Sequence, residues 1–467
     1  MKKTILLFIF FAICTTITAE DGHNLWLRYE TLNKAHVIAP KGGKTIQIAI
    51  DELTKYWNGK DIKLVIDKSL KNDDGFIYDA DSICSHSEIG LLYGVYEALR
   101  TQQLSTNSNT GGYSAPKYSR RILNHWDNLD GSIERGYAGK SIFFSSKLKG
   151  YDWEKRIIEY ARANASIGIN GAVLNNVNAS AKILRTEWLV KVAALADVFR
   201  PYGIRVYLTA KFSSPQDIGG LRTASPKDSS VIHWWREKVK EIYSLIPDFG
   251  GFLVKANSEG QPGPQDYGCS HADGANMLGD ALAPYGGIVL WRAFVYENKR
   301  NVDRVVTGYR EFKPLDGQFH SNVFVQPKNG PIDFQPREPF NPLFGQMPHT
   351  ALSIEFQITQ EYLGWASHLV YLGPLFSETL QSDTYEYGEG STVSHVLQRY
   401  EKTKGISCIA GVSNIGSDIN WTGHPFGQAN WYAFGRLAWN PDLSSKSIAE
   451  EWIRMTFSNK KEVISPI

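Results

Sequence analysis

Eight short apolar segments, separated by helical or polar stretches, constrain the fold of this chain more than any other feature. The segments are residues 121–124, 171–174, 205–208, 251–254, 288–291, 322–325, 352–355 and 406–410. Helical patterns fit between several of them, at 152–167, 186–200 and 230–246. Buried strands that alternate with crossover helices predict a closed (β/α)8 barrel, an α/β fold of the TIM type. An open doubly wound sheet is the competing fold, and it is disfavoured because no glycine-rich phosphate loop follows the first strand.

The chain divides into four predicted segments. Residues 1–19 have the parts of a cleavable signal peptide, with Lys2 and Lys3 before a short apolar run and Ala19 at the predicted cleavage point, so we expect a periplasmic or secreted protein. Residues 20–117 indicate a small α+β accessory domain, with strands at 44–50 and 62–66 and a helix at 87–100 capped by Ser87. The barrel is predicted at 118–444, and 445–467 begins a helical C-terminal domain.

Charge and cysteine count disfavour several classes of protein. Fifty Lys and Arg against 48 Asp and Glu give a net charge of +2 without a long basic run, so we expect no nucleic-acid partner. No segment after the signal is apolar for long enough to span a bilayer, so we expect no membrane contact once the signal is removed. Cys84, Cys269 and Cys408 lack CxxC spacing, which argues against a disulfide framework or a zinc site. We expect neither a metal nor a cofactor.

Three carboxyl residues follow the later predicted strands, where the working residues of such barrels lie. Glu259 follows the fourth strand in a loop rich in glycine and proline, Asp333 follows the sixth, and Glu361 follows the seventh. Glycoside hydrolysis requires one carboxyl group as an acid and another as a base. The three positions therefore indicate a carboxylate-driven hydrolase.

Three cationic residues follow the fourth, fifth and sixth strands: Lys255, Arg292 and Lys328. Since adjacent strands end at the same face of a barrel, these side chains are expected to converge into a pocket for a negatively charged group, with arginine suited to bidentate carboxylate binding. A neutral sugar does not need three cations, whereas a uronic acid does.

A salt-bridged or solvated loop side chain is the competing interpretation for each of these residues. Under it, Asp333 pairs with Lys328 or Arg337, and Glu355 is a barrel-interior residue that pairs with a neighbouring strand. Any one position taken alone is weak evidence. Their joint placement after consecutive strands favours a site.

Five segments closely resemble the α-glucuronidases of glycoside hydrolase family 67: residues 124–139, 168–177, 254–264, 290–296 and 325–339. The resemblance implies an inverting, exo-acting enzyme that releases (4-O-methyl)-D-glucuronic acid from α-1,2-substituted xylo-oligosaccharides during xylan degradation. Glucuronoxylan-derived oligosaccharides are then the expected partners, and the segment before the barrel matches the family's accessory domain.

The resemblance also implies roles. Glu259 is similar to the general acid, and Asp333 and Glu361 to the two carboxylates that activate the attacking water. The residues placed around the sugar are Lys255, Arg292 and Lys328, which hold the uronate carboxylate, and Trp126, which shapes the pocket. In an inverting enzyme the acid and base lie about 6.5–9.5 Å apart to admit a water.

One departure from the family concerns the end of the chain. Family members continue into a large helical C-terminal domain that supports dimerisation, whereas this sequence ends near the first helix of that domain. We therefore expect a fragment or a truncated product, with a homodimer only if that domain were present.

Two alternatives remain. A hexosaminidase-like enzyme would use an adjacent Asp-Glu pair after the fourth strand, which Ser258-Glu259 does not provide. A carbohydrate-binding protein that has lost its chemistry through truncation is the non-enzymatic alternative, and retention of all three carboxyls and all three cations argues against it.

Overall fold

The eight predicted barrel strands are present and form one parallel sheet. The computed structural model describes residues 20–59, 61–104, 112–146, 150–178, 180–294, 303–363 and 368–467. Its barrel strands are β6 (Arg120–Asn124), β7 (Gly171–Val173), β8 (Arg205–Thr209), β9 (Gly251–Val254), β10 (Ile288–Arg292), β11 (Val323–Gln326), β12 (Ser353–Gln357) and β13 (Cys408–Val412). They follow an accessory sheet of β1 (His36–Ile38), β2 (Asp61–Ile66), β3 (Phe76–Asp79), β4 (Ser82–Ser85) and β5 (Tyr113–Ser114). The signal peptide expected at 1–19 lies outside the described residues.

The eight-stranded sheet closes on itself. Its order is β11-β10-β9-β8-β7-β6-β13-β12, and every pairing in it is parallel. The ends of this row, β11 and β12, meet through parallel bridges between Val325 and Leu352 and between Lys328 and Glu355. The amide of Glu355 donates to the carbonyl of Pro327 at 3.0 Å across that seam. The (β/α)8 barrel is therefore confirmed.

Apolar side chains from alternate strand positions fill the barrel. Ile122, Val173, Tyr207, Leu253 and Phe324 are buried within it. The outward side chains of the same strands pack against the helices, so the strands are buried on both faces, which explains their continuous apolar sequences.

Helices lie between barrel strands at all three predicted places, and further helices lie along the rest of the chain. The helices are α1 (Lys44–Tyr56), α2 (Glu88–Gln103), α3 (Gly150–Ser166), α4 (Thr186–Phe199), α5 (Ser214–Asp217), α6 (Ser229–Leu245), α7 (His271–Leu282), α8 (Arg304–Phe312), α9 (Gly373–Gln381), α10 (Val393–Lys404), α11 (Gly427–Trp439), α12 (Ser445–Thr456) and α13 (Lys461–Ile464). Short 3-10 helices lie at Ala181–Leu184, Arg200–Tyr202, Pro264–Tyr267, Ala283–Tyr285, Lys313–Leu315 and Pro342–Gly345. None of the helices in the described ranges is long and apolar enough to cross a bilayer.

The accessory sheet has the order β1-β2-β4-β3-β5, and α2 packs on it. Ser87 caps α2 as predicted, because its hydroxyl accepts a hydrogen bond from the amide of Gly90 at 3.0 Å. The strand predicted at 44–50 is wrong, since these residues begin α1.

The error at 44–50 has a physical reason. Three isoleucines, at 46, 48 and 50, alternate as they would in a strand. The residues that are actually buried include Ile46, Ala49 and Leu53, which share one face of a helix, and that face packs on the accessory fold. Tertiary burial on a period of 3.6 therefore outweighs the local β-branched pattern.

Candidate active site

The loop that leaves β9 carries Lys255 and Glu259 in contact with each other. The buried Lys255 ammonium donates to the Glu259 carboxylate and to Asn178 Oδ1, the latter at 2.8 Å. Glu259 itself is half exposed, and its backbone φ of +49° is left-handed, as is that of Asn257 at +51°. A Cβ at Gly263 would lie 2.0 Å from the Asn257 side-chain oxygen, so only glycine fits there. The glycine and proline pattern of this loop thus fixes where Glu259 projects.

The loop that leaves β11 holds Asp333 through both of its carboxylate oxygens. Oδ1 accepts from the Lys328 ammonium, and Oδ2 accepts from the Tyr362 hydroxyl at 2.5 Å. The backbone of this loop is organised by Glu338, whose carboxylate accepts from the amides of Ile332 at 2.7 Å and Asp333 at 3.2 Å. The pairing of Asp333 with Lys328, which the competing interpretation expected, is present and lies inside the site.

Glu361 follows β12 and is held in the same manner. Its Oε1 accepts from Arg135 Nε at 2.5 Å, and its Oε2 accepts from Gln357 Nε2 at 2.9 Å. Only 12% of the Glu361 side chain is exposed, against 50% of Arg135. The carboxylate therefore faces the barrel mouth with both oxygens already engaged.

Arg292 lies at the end of β10 and points into the barrel. Its Nε and Nη2 donate to Glu355 Oε2 at 2.9 and 2.7 Å, and Asn124 Nδ2 donates to Glu355 Oε1 at 2.5 Å. Glu355 is 0% exposed, so its prediction as a barrel-interior residue is confirmed. Its partner lies on β10, two strands away, rather than on a neighbouring strand.

The three predicted cations converge. The charge of Arg292 acts on both Lys255 and Lys328, and the Arg292 guanidinium carbon is 5.9 Å from the centre of the Trp126 ring. Trp126 is buried, and its indole N–H has no hydrogen-bond partner among the residues that the structure describes. Each of the three cations has a carboxylate neighbour that offsets its charge.

Burial sets the protonation of these lysines. Burial lowers the pKa of Lys255, with the hydrogen bond that Lys255 donates to Glu259 acting in the opposite direction. Burial, followed by repulsion from Arg292, also lowers the pKa of Lys328 to about 8. For Asp333, burial alone would raise the pKa, but Lys328 and Tyr362 together hold the pKa below its usual value. Asp333 is therefore a carboxylate at neutral pH.

Four residues beside the site escaped the sequence interpretation: Glu134, Arg135, Asn178 and Tyr362. Glu134 Oε2 accepts from the side-chain amides of Asn176 at 2.8 Å and Asn178 at 2.9 Å. Glu134 and Arg135 belong to the loop after the first strand, where a charged pair was visible without an assigned role. Nothing in the sequence singled out Asn178.

His125, which precedes Trp126, is a structural residue. Its Nε2 contacts the Tyr160 hydroxyl at 2.7 Å and its Nδ1 contacts the Ser413 hydroxyl at 2.9 Å. Burial lowers the pKa of His125 to about 3, so the ring stays neutral and ties β6 to α3 and the end of β13. It is not a candidate for acid or base work.

The arrangement can protonate a leaving group and activate a water beside an anion-binding pocket. A closed (β/α)8 barrel that groups carboxylates and cations at the carboxyl ends of its strands has the architecture of a barrel glycoside hydrolase. No group of three or more His, Cys, Asp and Glu side chains within the described residues is arranged to hold a metal ion.

Comparison with known proteins specifies the family. The glycosyl hydrolase family 67 middle domain matches residues 100–421, and the family 67 C-terminus matches residues 422–467. The chain therefore belongs to glycoside hydrolase family 67.

Individual relatives agree with this assignment. The chain is 44% identical over 510 aligned positions to "Alpha-glucuronidase A" of Emericella nidulans, an alignment that covers 96% of this chain and 60% of the relative. It is 46% identical over 395 positions to the "Alpha-glucuronidase" of Hypocrea jecorina, covering 82% of this chain and 46% of the relative. The chain thus spans 60% and 46% of the lengths of these two proteins.

A solved structure shares the fold. The Streptomyces plicatus N-acetyl-beta-hexosaminidase superposes with a TM-score of 0.57 at 11% identity, covering 92% of this chain and 91% of that chain. At this identity the likeness concerns the architecture alone.

Proposed function

We propose that this chain is an inverting α-glucuronidase that releases (4-O-methyl)-D-glucuronic acid from α-1,2-substituted xylo-oligosaccharides. The observation that carries the proposal is the convergence of Lys255, Arg292 and Lys328 beside carboxylates on the loops after β9, β11 and β12. Family membership and relatives named alpha-glucuronidase support the same sugar.

The proposed reaction begins with an exchange of partners at Lys255. When the uronate carboxylate enters, it takes the place of Glu259 beside the Lys255 ammonium. Glu259, freed from Lys255, gives a proton to the glycosidic oxygen as the bond to the anomeric carbon breaks. A neutral sugar offers no such exchange, so the pairing itself favours uronic substrates.

The second half of the reaction activates water. A water attacks the opposite face of the anomeric carbon and gives its proton to one of two carboxylates, Asp333 or Glu361. Asp333 is kept ionised by Lys328 and Tyr362, and Glu361 is held by Arg135 and Gln357. The configuration inverts. Trp126 and Arg292 would border the sugar ring.

Three broader expectations belong to this proposal. The basic start, the apolar run and the small residues before Glu20 support export to the periplasm or the exterior. The accessory fold over 20–117 and the barrel over 118–444 would act as separate domains. Dimerisation would require the helical C-terminal domain of the family.

One assay separates the proposal from its alternatives. The protein is incubated with aldouronic oligosaccharides and, separately, with aryl N-acetylhexosaminides, and free uronic acid and free hexosamine are measured. We expect uronic acid alone, lost in Glu259→Ala and retained in the control Glu237→Ala, whose side chain is an exposed helical glutamate paired with Lys240. Hexosamine release, or binding without release, would contradict the proposal.

The pocket assignment has its own test. Arg292→Met should weaken binding of a glucuronic acid oligosaccharide far more than binding of the matching glucose oligosaccharide, because only the former carries the anion. Equal weakening of both would refute the assignment.

A further inference from the structure

The loop after β6 folds back as a hairpin to the barrel mouth. Asp127 pairs with Ile133 in an antiparallel bridge, and the amide of Glu134 donates to the carbonyl of Trp126 at 2.9 Å. Gly131, with φ of +85°, makes the turn. The hairpin therefore delivers Glu134 and the next residue, Arg135, beside the sugar pocket.

Glu134 reaches the acid side of the site. Its carboxylate holds the side-chain amides of Asn176 and Asn178, at 2.8 and 2.9 Å. Asn178 in turn accepts from Lys255 at 2.8 Å, and Lys255 contacts Glu259. A continuous chain of polar contacts therefore runs from the hairpin to the general acid.

Arg135 reaches the base side. Its Nε donates to Glu361 at 2.5 Å, and the other oxygen of that carboxylate accepts from Gln357. The backbone of Arg135 has φ of +57°, a left-handed conformation that is uncommon outside glycine. This turn sends two consecutive side chains to opposite sides of the site.

We propose that Glu134 and Arg135 form a brace that fixes the position of Lys255, which receives the uronate, relative to the water-activating carboxylate Glu361. Both are positioning residues, since they act through Lys255 and Glu361. This inference rests on the proposed function, because an inverting hydrolase must hold its bound sugar at a set distance from the base with room for one water. Two adjacent residues of one rigid hairpin are a direct way to hold both ends of that distance.

An ordinary surface ion pair is the competing explanation. Arg135 is half exposed, and exposed ion pairs contribute little to stability. A surface pair therefore predicts small effects of substitution on folding and on turnover alike. A brace predicts a small effect on folding and a large one on turnover.

The first test substitutes Arg135. We expect Arg135→Met to reduce kcat for aldouronic oligosaccharides by about 10²-fold with KM little changed, since small misplacements of a reacting group have effects of that size. Arg135→Lys should recover part of the lost kcat, because Arg135 contacts Glu361 through Nε and a lysine ammonium lies at a similar distance along the side chain. Arg200→Met is the matched control: Arg200 is 40% exposed and pairs with Asp197 and Asp248 at the other end of the barrel. Equal kcat values for wild type, Arg135→Met and Arg200→Met would overturn the brace while leaving the proposed function intact.

The second test approaches the acid side. Glu134→Ala frees Asn178 and should lower kcat, whereas Glu134→Gln keeps an acceptor oxygen and should retain more activity. A Glu134→Ala enzyme with the wild-type kcat would also overturn the brace.

The third test does not depend on turnover. Crystal structures of the wild-type protein and of Arg135→Ala should differ at Glu361, whose carboxylate leaves Gln357 in the variant. A Glu361 carboxylate that stays in place in the variant would refute the brace, whatever the activity of the protein. Absence of uronic acid release by the wild-type protein would instead refute the proposed function.

Discussion

Lys328 is expected to set the alkaline limit of catalysis. Its side chain is buried, with the ammonium 3.1 Å from the centre of the Phe294 ring, and burial together with Arg292 lowers the pKa to about 8. The proposed uronate pocket needs this lysine in its cationic form. With a pKa of about 8, about 90% of the lysine is protonated at pH 7 and about 10% at pH 9. We therefore expect kcat/KM for aldouronic oligosaccharides to fall about tenfold between these two pH values.

The dependence of kcat/KM reports the free enzyme, while that of kcat reports the substrate complex. A bound uronate stabilises the cationic form of Lys328, so the decline in kcat should begin at a higher pH than the decline in kcat/KM. Initial rates of uronic acid release from pH 6 to pH 10 measure both.

Substitution of Lys328 sharpens this prediction. In Lys328→Arg the cation persists to high pH, so the decline attributed to Lys328 should disappear. Lys238→Arg, at a helical lysine paired with Glu241, is the control and should keep the wild-type profile. A wild-type kcat/KM that stays level from pH 7 to pH 9, or a decline that Lys328→Arg leaves unmoved, would refute the reasoning.

Three further predictions concern stability, each measured by urea unfolding. Glu355→Gln leaves Arg292 buried without its anion and should reduce the free energy of unfolding by about 3–5 kcal/mol; a loss below 1 kcal/mol would mean that the pair is dispensable. Burial raises the pKa of Asp127 to about 8, so the folded state holds a proton that the unfolded chain releases above pH 4. The free energy of unfolding of the wild-type protein should therefore fall between pH 4 and pH 8, by roughly 1 kcal/mol per pH unit. Asp127→Asn removes this dependence, and an equal difference between the two proteins at pH 5 and pH 8 would contradict it. Ser87→Ala removes the cap on Gly90 and should cost about 1 kcal/mol, whereas an unchanged midpoint would show that the cap is not needed.

The barrel was predictable from sequence because its strands are buried on both faces. Segments such as Gly251–Val254 are therefore continuous apolar runs between turns, and the structure places them within one or two residues of the prediction. The strand predicted at 44–50 is wrong because the apolar residues of this short stretch fit both the period of two of a strand and the period of 3.6 of a helix. Only the packing in the folded protein decides between them.

The site was predictable only in part. Residues that follow strands, such as Glu259 and Asp333, could be proposed because strand ends meet at one face of a barrel. Contacts between distant loops could not be predicted from the sequence. Arg135 and Glu361 are 226 positions apart, and their pairing depends on a left-handed backbone at Arg135, a residue other than glycine. The pairings of Lys255 with Glu259 and of Arg292 with Glu355 were likewise visible only in three dimensions, whereas the pairing of Lys328 with Asp333 was among the interpretations of the sequence.

The anomeric form of the first-formed product tests the central claim most directly. Hydrolysis of an aldouronic oligosaccharide by the wild-type protein is followed by proton NMR within the time that the free sugar takes to mutarotate. In the proposed arrangement Glu259 protonates the glycosidic oxygen on one face of the sugar, and Asp333 with Glu361 directs water to the opposite face of the anomeric carbon. This arrangement predicts that β-glucuronic acid appears first from the α linkage. Initial release of the α-anomer, or no release beyond an enzyme-free control, would contradict it.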